Sequence, residues 1–203
     1  MTDPAAPRHR MTVEEFLAWA ETQEEPYELE DGVPVPLWPR DPGEPTMMAS
    51  PTVGHQQVQL NALGILQRRL QHPCWAIAGV AVAIRSRRTR VPDIVASCVP
   101  ADSRSNLVGA PVLIVEVLSP TSEAKDRSRK LDEYKELGSV QEIWLVASNR
   151  KWVQSWHREE SGWHVTDVIG LGAFSSRVLA SAVALDELYA GVQLQVEPEG
   201  SDG

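Results

Sequence analysis

The sequence predicts an α/β (α+β) domain in which helices flank a mixed central sheet, with a helix and a hairpin at its N-terminus. Three observations support this fold class. Apolar residues keep helical spacing between Val58 and Leu70, apolar and polar residues alternate in several shorter segments, and Val112 to Leu118 is almost continuously apolar. Alternation is typical of a strand with one covered face, and a short continuous run is typical of a strand covered on both faces.

The composition predicts one globular domain. The chain has 203 residues, of which 42% are apolar and 23% are charged. We expect a flexible tail over 1–10, a single domain over 11–190 and a disordered acidic tail over 191–203. The sequence has no signal peptide pattern and no apolar run near the roughly 20 residues that span a bilayer, so we predict a cytoplasmic protein without membrane contact. The net charge of −9 argues against a protein that coats nucleic acid by bulk electrostatics.

Local signals predict the elements of the N-terminal half. Thr12 and Glu15 have the spacing of a capping box, which opens a short helix. Alternating segments on both sides of Asp31-Gly32 predict a hairpin, with prolines that confine its second arm to an edge. Ser50-Pro51 has the pattern of an N-cap followed by proline, and predicts a helix that runs to about Leu70.

The C-terminal half is predicted to be mainly strands with one embedded helix. The helix follows the break at Ser119-Pro120 and ends before Gly138, which has the position of a C-cap. A short helix or turn closes the domain at Leu185 to Tyr189. The predicted strands cover 75–78, 80–84, 91–98, 112–118, 143–147, 152–157 and 163–169.

The two cysteines lie in apolar surroundings. Cys74 and Cys98 could form one disulfide. Because thiols stay reduced in the cytosol, we expect them instead to be unpaired, small core residues.

The acidic residues Glu116 and Asp93 are the main chemical signal. Glu116 interrupts the apolar run 112–118, where an ionised carboxylate is costly unless it is paired or bound to a cation. It therefore indicates a metal ligand, an ion pair with an arginine, or an exposed edge face. Asp93 follows Pro92 in another predicted strand, although aspartate is a poor strand former. A turn at a strand start would explain Asp93 alone. Asp93 together with Glu116 is a more specific signal than either residue by itself.

Two carboxylates on neighbouring strands offer hard oxygen ligands, which suit Mg²⁺ or Mn²⁺. We therefore predict that Asp93 and Glu116 bind the metal. Such an ion polarises a phosphodiester and lowers the pKa of an attacking water, and a nearby ammonium stabilises charge that develops on the phosphate. Lys130 is the candidate ammonium, because it lies in the helix after the Glu116 strand. Asp126, Lys130 and Tyr134 share one helical face, a spacing that by itself favours a solvated surface ion pair.

His55 and a set of arginines complete the candidate site. His55 falls in the first turn of its predicted helix, where the helix dipole disfavours a charged histidine. It is either a neutral group that accepts a proton or contacts phosphate, or an ordinary surface histidine. The arginines form a candidate basic rim for nucleic acid, although each could simply be a solvated loop residue. They are Arg85, Arg87, Arg88, Arg90, Arg127 and Arg129.

The ordered set of motifs resembles the Uma-two family of the PD-(D/E)XK, restriction-endonuclease-like group. The match runs from about Thr12 to Tyr189 and covers most of the chain. The motifs that carry it are Tyr27-Glu28-Leu29 with Asp31-Gly32, Ser50-Pro51 with His55, Pro92-Asp93, Val115-Glu116-Val117-Leu118-Ser119-Pro120, Asp126 with Lys130 and Tyr134, and Glu142-Ile143-Trp144-Leu145-Val146.

This resemblance implies a restriction-endonuclease-like fold and divalent-metal phosphodiester hydrolysis, with DNA, or else RNA, as the substrate. By position it implies that Asp93 and Glu116 bind metal and that Lys130 is the catalytic lysine moved from strand to helix. The lysine that usually follows the acid by two residues is replaced by Leu118. Glu28 is an additional acidic candidate for the catalytic site, in a motif interrupted by prolines.

Two functions from different classes remain open. The first is a Mg²⁺- or Mn²⁺-dependent DNA endonuclease, which the two acids and the lysine favour. The second is a catalytically silent nuclease-fold protein that binds nucleic acid or acts in assembly, which the acidic net charge favours. Trp144, Trp152, Trp156 and Trp163 are better explained as core or interface residues than as a base-stacking platform, and they make a homodimer plausible.

Overall fold

The computed structural model describes residues 9–37, 51–119 and 125–194, with backbone only for 125–127. These residues form a mixed α+β fold with four helices, a six-stranded sheet and three two-stranded sheets, which confirms the predicted fold class. In chain order the elements are α1 (Val13–Ala20), β1 (Tyr27–Glu30), β2 (Val33–Pro36), α2 (Val53–Arg69), β3 (Trp75–Ala78), β4 (Val82–Arg85), β5 (Arg88–Arg90), β6 (Ile94–Ser97), β7 (Pro111–Leu118), α3 (Lys125–Glu136), β8 (Glu142–Ala147), β9 (Trp152–Glu159), β10 (Gly162–Ile169), β11 (Ala173–Ser176), β12 (Ser181–Ala184) and α4 (Leu185–Leu188).

The six-stranded sheet has the order β10-β9-β8-β7-β6-β3. Its central strands β7 and β8 are parallel, and α3 lies between them in the chain, as a parallel crossover requires. The other neighbours in this sheet are antiparallel. Strand β8 is buried along its whole length and β7 along nearly all of it, which explains the continuous apolar runs in these two segments.

Helices α2 and α3 cover opposite faces of this sheet. Val58 and Leu66 of α2 share one core cluster with Val115 of β7, whereas Leu131 of α3 shares the other cluster with Ile114. Successive side chains of a strand point to opposite faces. Ile114, Glu116 and Leu118 of β7 therefore face α3.

The N-terminal elements match their local signals. The Thr12 side chain accepts from the backbone of Glu15 and the Glu15 carboxylate accepts from the backbone of Thr12, which confirms the capping box of α1. Strands β1 and β2 form the predicted hairpin, and Gly32 at its turn has a φ of +84°. The backbone N–H of Leu29 donates to the Thr89 hydroxyl of β5 at 2.9 Å, which joins this hairpin to the β4–β5 hairpin.

Several predicted boundaries differ from the structure. Thr52, not Ser50, caps α2, because the Thr52 hydroxyl accepts from the backbone of His55; Ser50 itself lies outside the described residues. Strand β6 begins at Ile94, so Asp93 precedes the strand rather than lying in it. In the predicted acidic tail, Val192 and Leu194 pack against the core. Four segments lie outside the described residues, namely 1–8, 38–50, 120–124 and 195–203. They include most of the two predicted tails and Pro120 of the predicted break.

The expectation of unpaired cysteines is wrong. Cys74 and Cys98 form a disulfide. Trp75 of β3 pairs with Ser97 of β6 in antiparallel register, and this register places the two flanking cysteines opposite each other. Among the described helices, none is long and apolar enough to cross a membrane.

Candidate active site

Sheet register places Asp93 across from Glu116. Ile94 pairs with Val115 in the antiparallel β6–β7 ladder, so the residue before Ile94 is opposite the residue after Val115. The Asp93 carboxylate extends this ladder, because its Oδ2 accepts the backbone N–H of Val117 at 2.6 Å. The Asp93 carbonyl oxygen in turn accepts from the Gln59 amide at 2.9 Å. Both the side chain and the main chain of Asp93 are therefore held in place.

Glu116 is buried with 8% of its surface exposed, as the apolar run predicted. Its Oε1 accepts the Tyr134 hydroxyl at 2.5 Å. Burial raises the pKa of Glu116 to about 7; the charge of Lys130 opposes this shift and the charge of Asp93 adds to it. The carboxylate thus lies among an ammonium, a second carboxylate and a phenol, and the arginine partner considered from the sequence does not occur among the described residues.

Lys130 and Glu28 meet beside this carboxylate. Lys130 extends from α3, and its Nζ lies 3.9 Å from Oε1 of Glu28. Glu28 is buried on β1, where Oε1 also accepts the backbone N–H of Val91 at 2.8 Å and Oε2 accepts from Arg90 at 2.8 Å. Because Val91 precedes Asp93 by two residues, Glu28 ties the hairpin to the segment that carries Asp93.

His55 lies on the more exposed side of the site. Its Nε2 is 3.3 Å from Oδ1 of Asp93, and the two side chains are 15% and 21% exposed. Position N3 of α2 directs the histidine toward the start of β6. The structure therefore brings the five predicted catalytic residues into one connected group, and their catalytic roles remain a prediction. They are Glu28, His55, Asp93, Glu116 and Lys130.

The predicted basic rim is wrong for Arg90. Its side chain is 1% exposed, and its guanidinium donates to Glu28, Glu30 and Glu133. Burial alone would lower the pKa of Arg90, but the hydrogen bonds and charges of Glu133 and Glu28 raise it above its ordinary value. Arg90 therefore ties β5 to α3 and to the N-terminal hairpin, and does not face solvent. No local pattern predicts these ion pairs, because the partners of Arg90 are 43 to 62 residues away in the chain.

The other predicted rim residues are divided between ion pairs and open surface. Arg88 pairs with Asp31 and Glu133 and is largely buried, so it too is a structural residue. Arg85 and Arg129 are more exposed but pair with Glu136 and Glu30 respectively. Arg87 is exposed, and its backbone carbonyl accepts from the hairpin turn. The side chain of Arg127 lies outside the described residues.

The donor set fits a magnesium-type ion. Mg²⁺ is commonly bound by one or two carboxylates and completes its shell with water and substrate phosphate. Asp93 and Glu116 supply two such carboxylates, which lie across from each other at the end of the β6–β7 ladder. Within the described parts of the chain, no group of three or more His, Cys, Asp or Glu side chains could hold a metal. A closed zinc site is therefore a poorer fit for these residues.

Two further residues contact the acids and were not predicted as site residues. Gln59 binds the main chain of Asp93, and Tyr134 binds the side chain of Glu116. Each follows a predicted site residue by four positions, Gln59 after His55 and Tyr134 after Lys130. This spacing places both members of a pair on one helical face, and it was the available sequence signal.

Comparisons with known proteins identify the family and the fold. The model of the Uma2 (Uma-two) family, described as "Putative restriction endonuclease", matches residues 13–191. The uncharacterized protein slr1290 of Synechocystis is 26% identical over 194 residues, which are 93% of this chain and 96% of that protein. A crystal structure of a "putative nuclease belonging to DUF820" from Anabaena variabilis has a TM-score of 0.63 at 18% identity, and the match covers 88% of this chain and 97% of that one. At this identity the structural match shows a shared fold.

Proposed function

The chain belongs to the Uma2 family of restriction-endonuclease-like proteins, and from this we propose that it is a divalent-metal-dependent endonuclease that hydrolyses phosphodiester bonds of DNA. The observation that carries the proposal is the position of Asp93 across from Glu116, with Lys130 on the same side of the sheet. A divalent ion held by carboxylates can activate a water, and a neighbouring cation stabilises charge that develops on the phosphate.

Each residue has a distinct role in this proposal. Asp93 and Glu116 would hold Mg²⁺ or Mn²⁺, which polarises the phosphodiester and lowers the pKa of an attacking water when bound. The Lys130 ammonium stabilises the charge that develops on the phosphate oxygens. His55, next to Asp93 and partly exposed, accepts or relays a proton through the imidazole nitrogen that does not contact Asp93. Glu28 acts through Val91 and Lys130 rather than on the substrate, because its charge is already paired with the buried Arg90 guanidinium.

The experiment incubates supercoiled plasmid with the protein and Mn²⁺ or Mg²⁺, with chelator as the blank. We expect nicking that falls about 100-fold or more in Asp93→Asn and in Glu116→Gln, because each loses one anionic metal ligand. Asp167→Asn is the matched control, since Asp167 is an exposed residue of β10 that contacts Gln154. Nicking that persists unchanged in Asp93→Asn would refute the assigned site.

A second candidate is a catalytically silent nuclease-fold protein that binds nucleic acid or acts in assembly. Two observations favour it: Arg88 and Arg90 form ion pairs inside the protein, and the net charge is −9. Few cations are therefore left to contact the phosphates of a nucleic acid. Calorimetry with Mn²⁺ and a gel-shift assay with DNA and RNA separate the two functions. Nucleic-acid binding without metal binding and without cleavage would support this second candidate. The prediction of a homodimer is tested in the same samples by light scattering.

A further inference from the structure

Helix α3 presents two residues to Glu116, not one. Lys130 and Tyr134 are four residues apart and so lie on one face of the helix. Tyr134 is fully buried and belongs to the core cluster between α3 and the sheet, together with Ile114 and Leu145. The packing of its ring fixes the direction in which its hydroxyl points.

The Tyr134 hydroxyl contacts one specific oxygen of Glu116. It donates to Oε1 at 2.5 Å, a short distance typical of a hydrogen bond to a charged carboxylate. Among the described residues, Tyr134 is the one hydrogen-bond partner of this carboxylate. Oε1 is therefore occupied in part by the phenol, whereas Oε2 has no such donor within the described chain.

A second buried tyrosine shows that this choice of partner is not imposed by burial. A buried phenol needs a hydrogen-bond partner, and a backbone carbonyl suffices. Tyr189 has such a partner, since its hydroxyl donates to the Ala147 carbonyl at 2.7 Å. Tyr134 instead binds a carboxylate that the proposed reaction requires.

We propose that Tyr134 is a positioning residue that holds Oε1 of Glu116 and so fixes this carboxylate to bind the metal. This inference rests on the proposed function. A free glutamate side chain loses conformational entropy when it becomes a ligand, and a fixed donor on one oxygen removes part of that loss before the metal arrives. Groups that orient a metal ligand in this way typically change metal affinity 10- to 100-fold when removed.

Tyr134→Phe tests the inference, and Tyr189→Phe is the matched control. Each substitution removes one buried hydroxyl and keeps the ring, so both should lower the urea midpoint of the metal-free protein. We expect the Kd for Mn²⁺, measured by calorimetry without substrate, to rise about 10-fold or more in Tyr134→Phe. Tyr189→Phe should keep the wild-type Kd, because its hydroxyl contacts no site residue.

A double-mutant cycle with Glu116→Asp supplies a second measurement. The aspartate side chain is one methylene shorter, so its carboxylate ends farther from the Tyr134 hydroxyl. Tyr134→Phe should therefore weaken Mn²⁺ binding much less in the Glu116→Asp protein than in the wild type. Equal effects in both backgrounds, or a wild-type Kd in Tyr134→Phe, would overturn the role of Tyr134 while leaving the endonuclease proposal intact. A wild-type protein that binds no Mn²⁺ would overturn both.

Discussion

The buried guanidinium of Arg90 gives the sharpest stability prediction. Arg90→Met keeps an apolar stem of similar length but removes the charge that faces Glu28, Glu30 and Glu133. Glu30 is 31% exposed and can regain water, whereas Glu28 and Glu133 are 9% and 5% exposed and cannot. The substitution therefore leaves two nearly buried carboxylates without their main partner.

The magnitude follows from what remains around these two carboxylates. Removing one partner of a buried ion pair costs about 3–5 kcal/mol. Glu133 keeps its contact with Arg88, and Glu28 keeps the Val91 N–H, so we expect the lower end of this range, about 3 kcal/mol. With a urea m value of about 2 kcal/mol/M, the unfolding midpoint should fall by about 1.5 M.

The assay is urea unfolding followed by tryptophan fluorescence, with Arg85→Met as the control. Arg85 lies on the neighbouring strand and its ion pair with Glu136 is exposed, so its loss should barely move the midpoint. Adding Glu28→Gln should cost less in the Arg90→Met protein than in the wild type, because the amide removes an unpaired charge. A midpoint for Arg90→Met equal to that of Arg85→Met would refute the reasoning, as would strict additivity in the cycle.

Three further predictions concern other parts of the fold. Reduction of the Cys74–Cys98 disulfide should lower the free energy of unfolding by about 3 kcal/mol, as for other loops of this size; a thermal midpoint that is the same with and without reductant would contradict it. Burial lowers the pKa of His157, so the unfolded state takes up a proton first and stability should fall as the pH drops below the ordinary histidine value of about 6.5. His157→Gln should flatten this decline in urea midpoints between about pH 7.5 and 5.5, and parallel curves would count against it. Gln59→Leu removes the donor to the Asp93 carbonyl and should slow plasmid nicking about 10-fold; an unchanged rate would show that this contact does not position Asp93.

Local patterns predicted the elements well because their causes are local. The Thr12–Glu15 capping box depends on residues three apart, and the Asp31-Gly32 turn on neighbouring backbone angles. The apolar run around Glu116 likewise predicted a buried central strand, because a strand that is covered on both faces is apolar at almost every position.

Contacts between distant segments were not predictable in the same way. The arginines looked like a surface rim because their carboxylate partners lie on other elements, such as Glu133 on α3. The pairing of the cysteines depended on the β3–β6 register, which no short segment encodes. Ser50 was the predicted cap of α2, and the structure assigns the role to Thr52, which belongs to the same class of capping residues.

The sequence by itself determined the order of the helices and of most strands, the central strand that contains Glu116 and the family to which the chain belongs, but it did not predict β5, β11 and β12. Only the tertiary structure decided that Asp93 lies across from Glu116, that Tyr134 binds one of its oxygens, and that Arg90 is an internal ion-pair residue. The physical reason is the range of the interactions. Hydrophobic periodicity and capping act over a few residues, whereas a carboxylate is assigned its partner by strand register and helix packing, which join residues far apart in the chain.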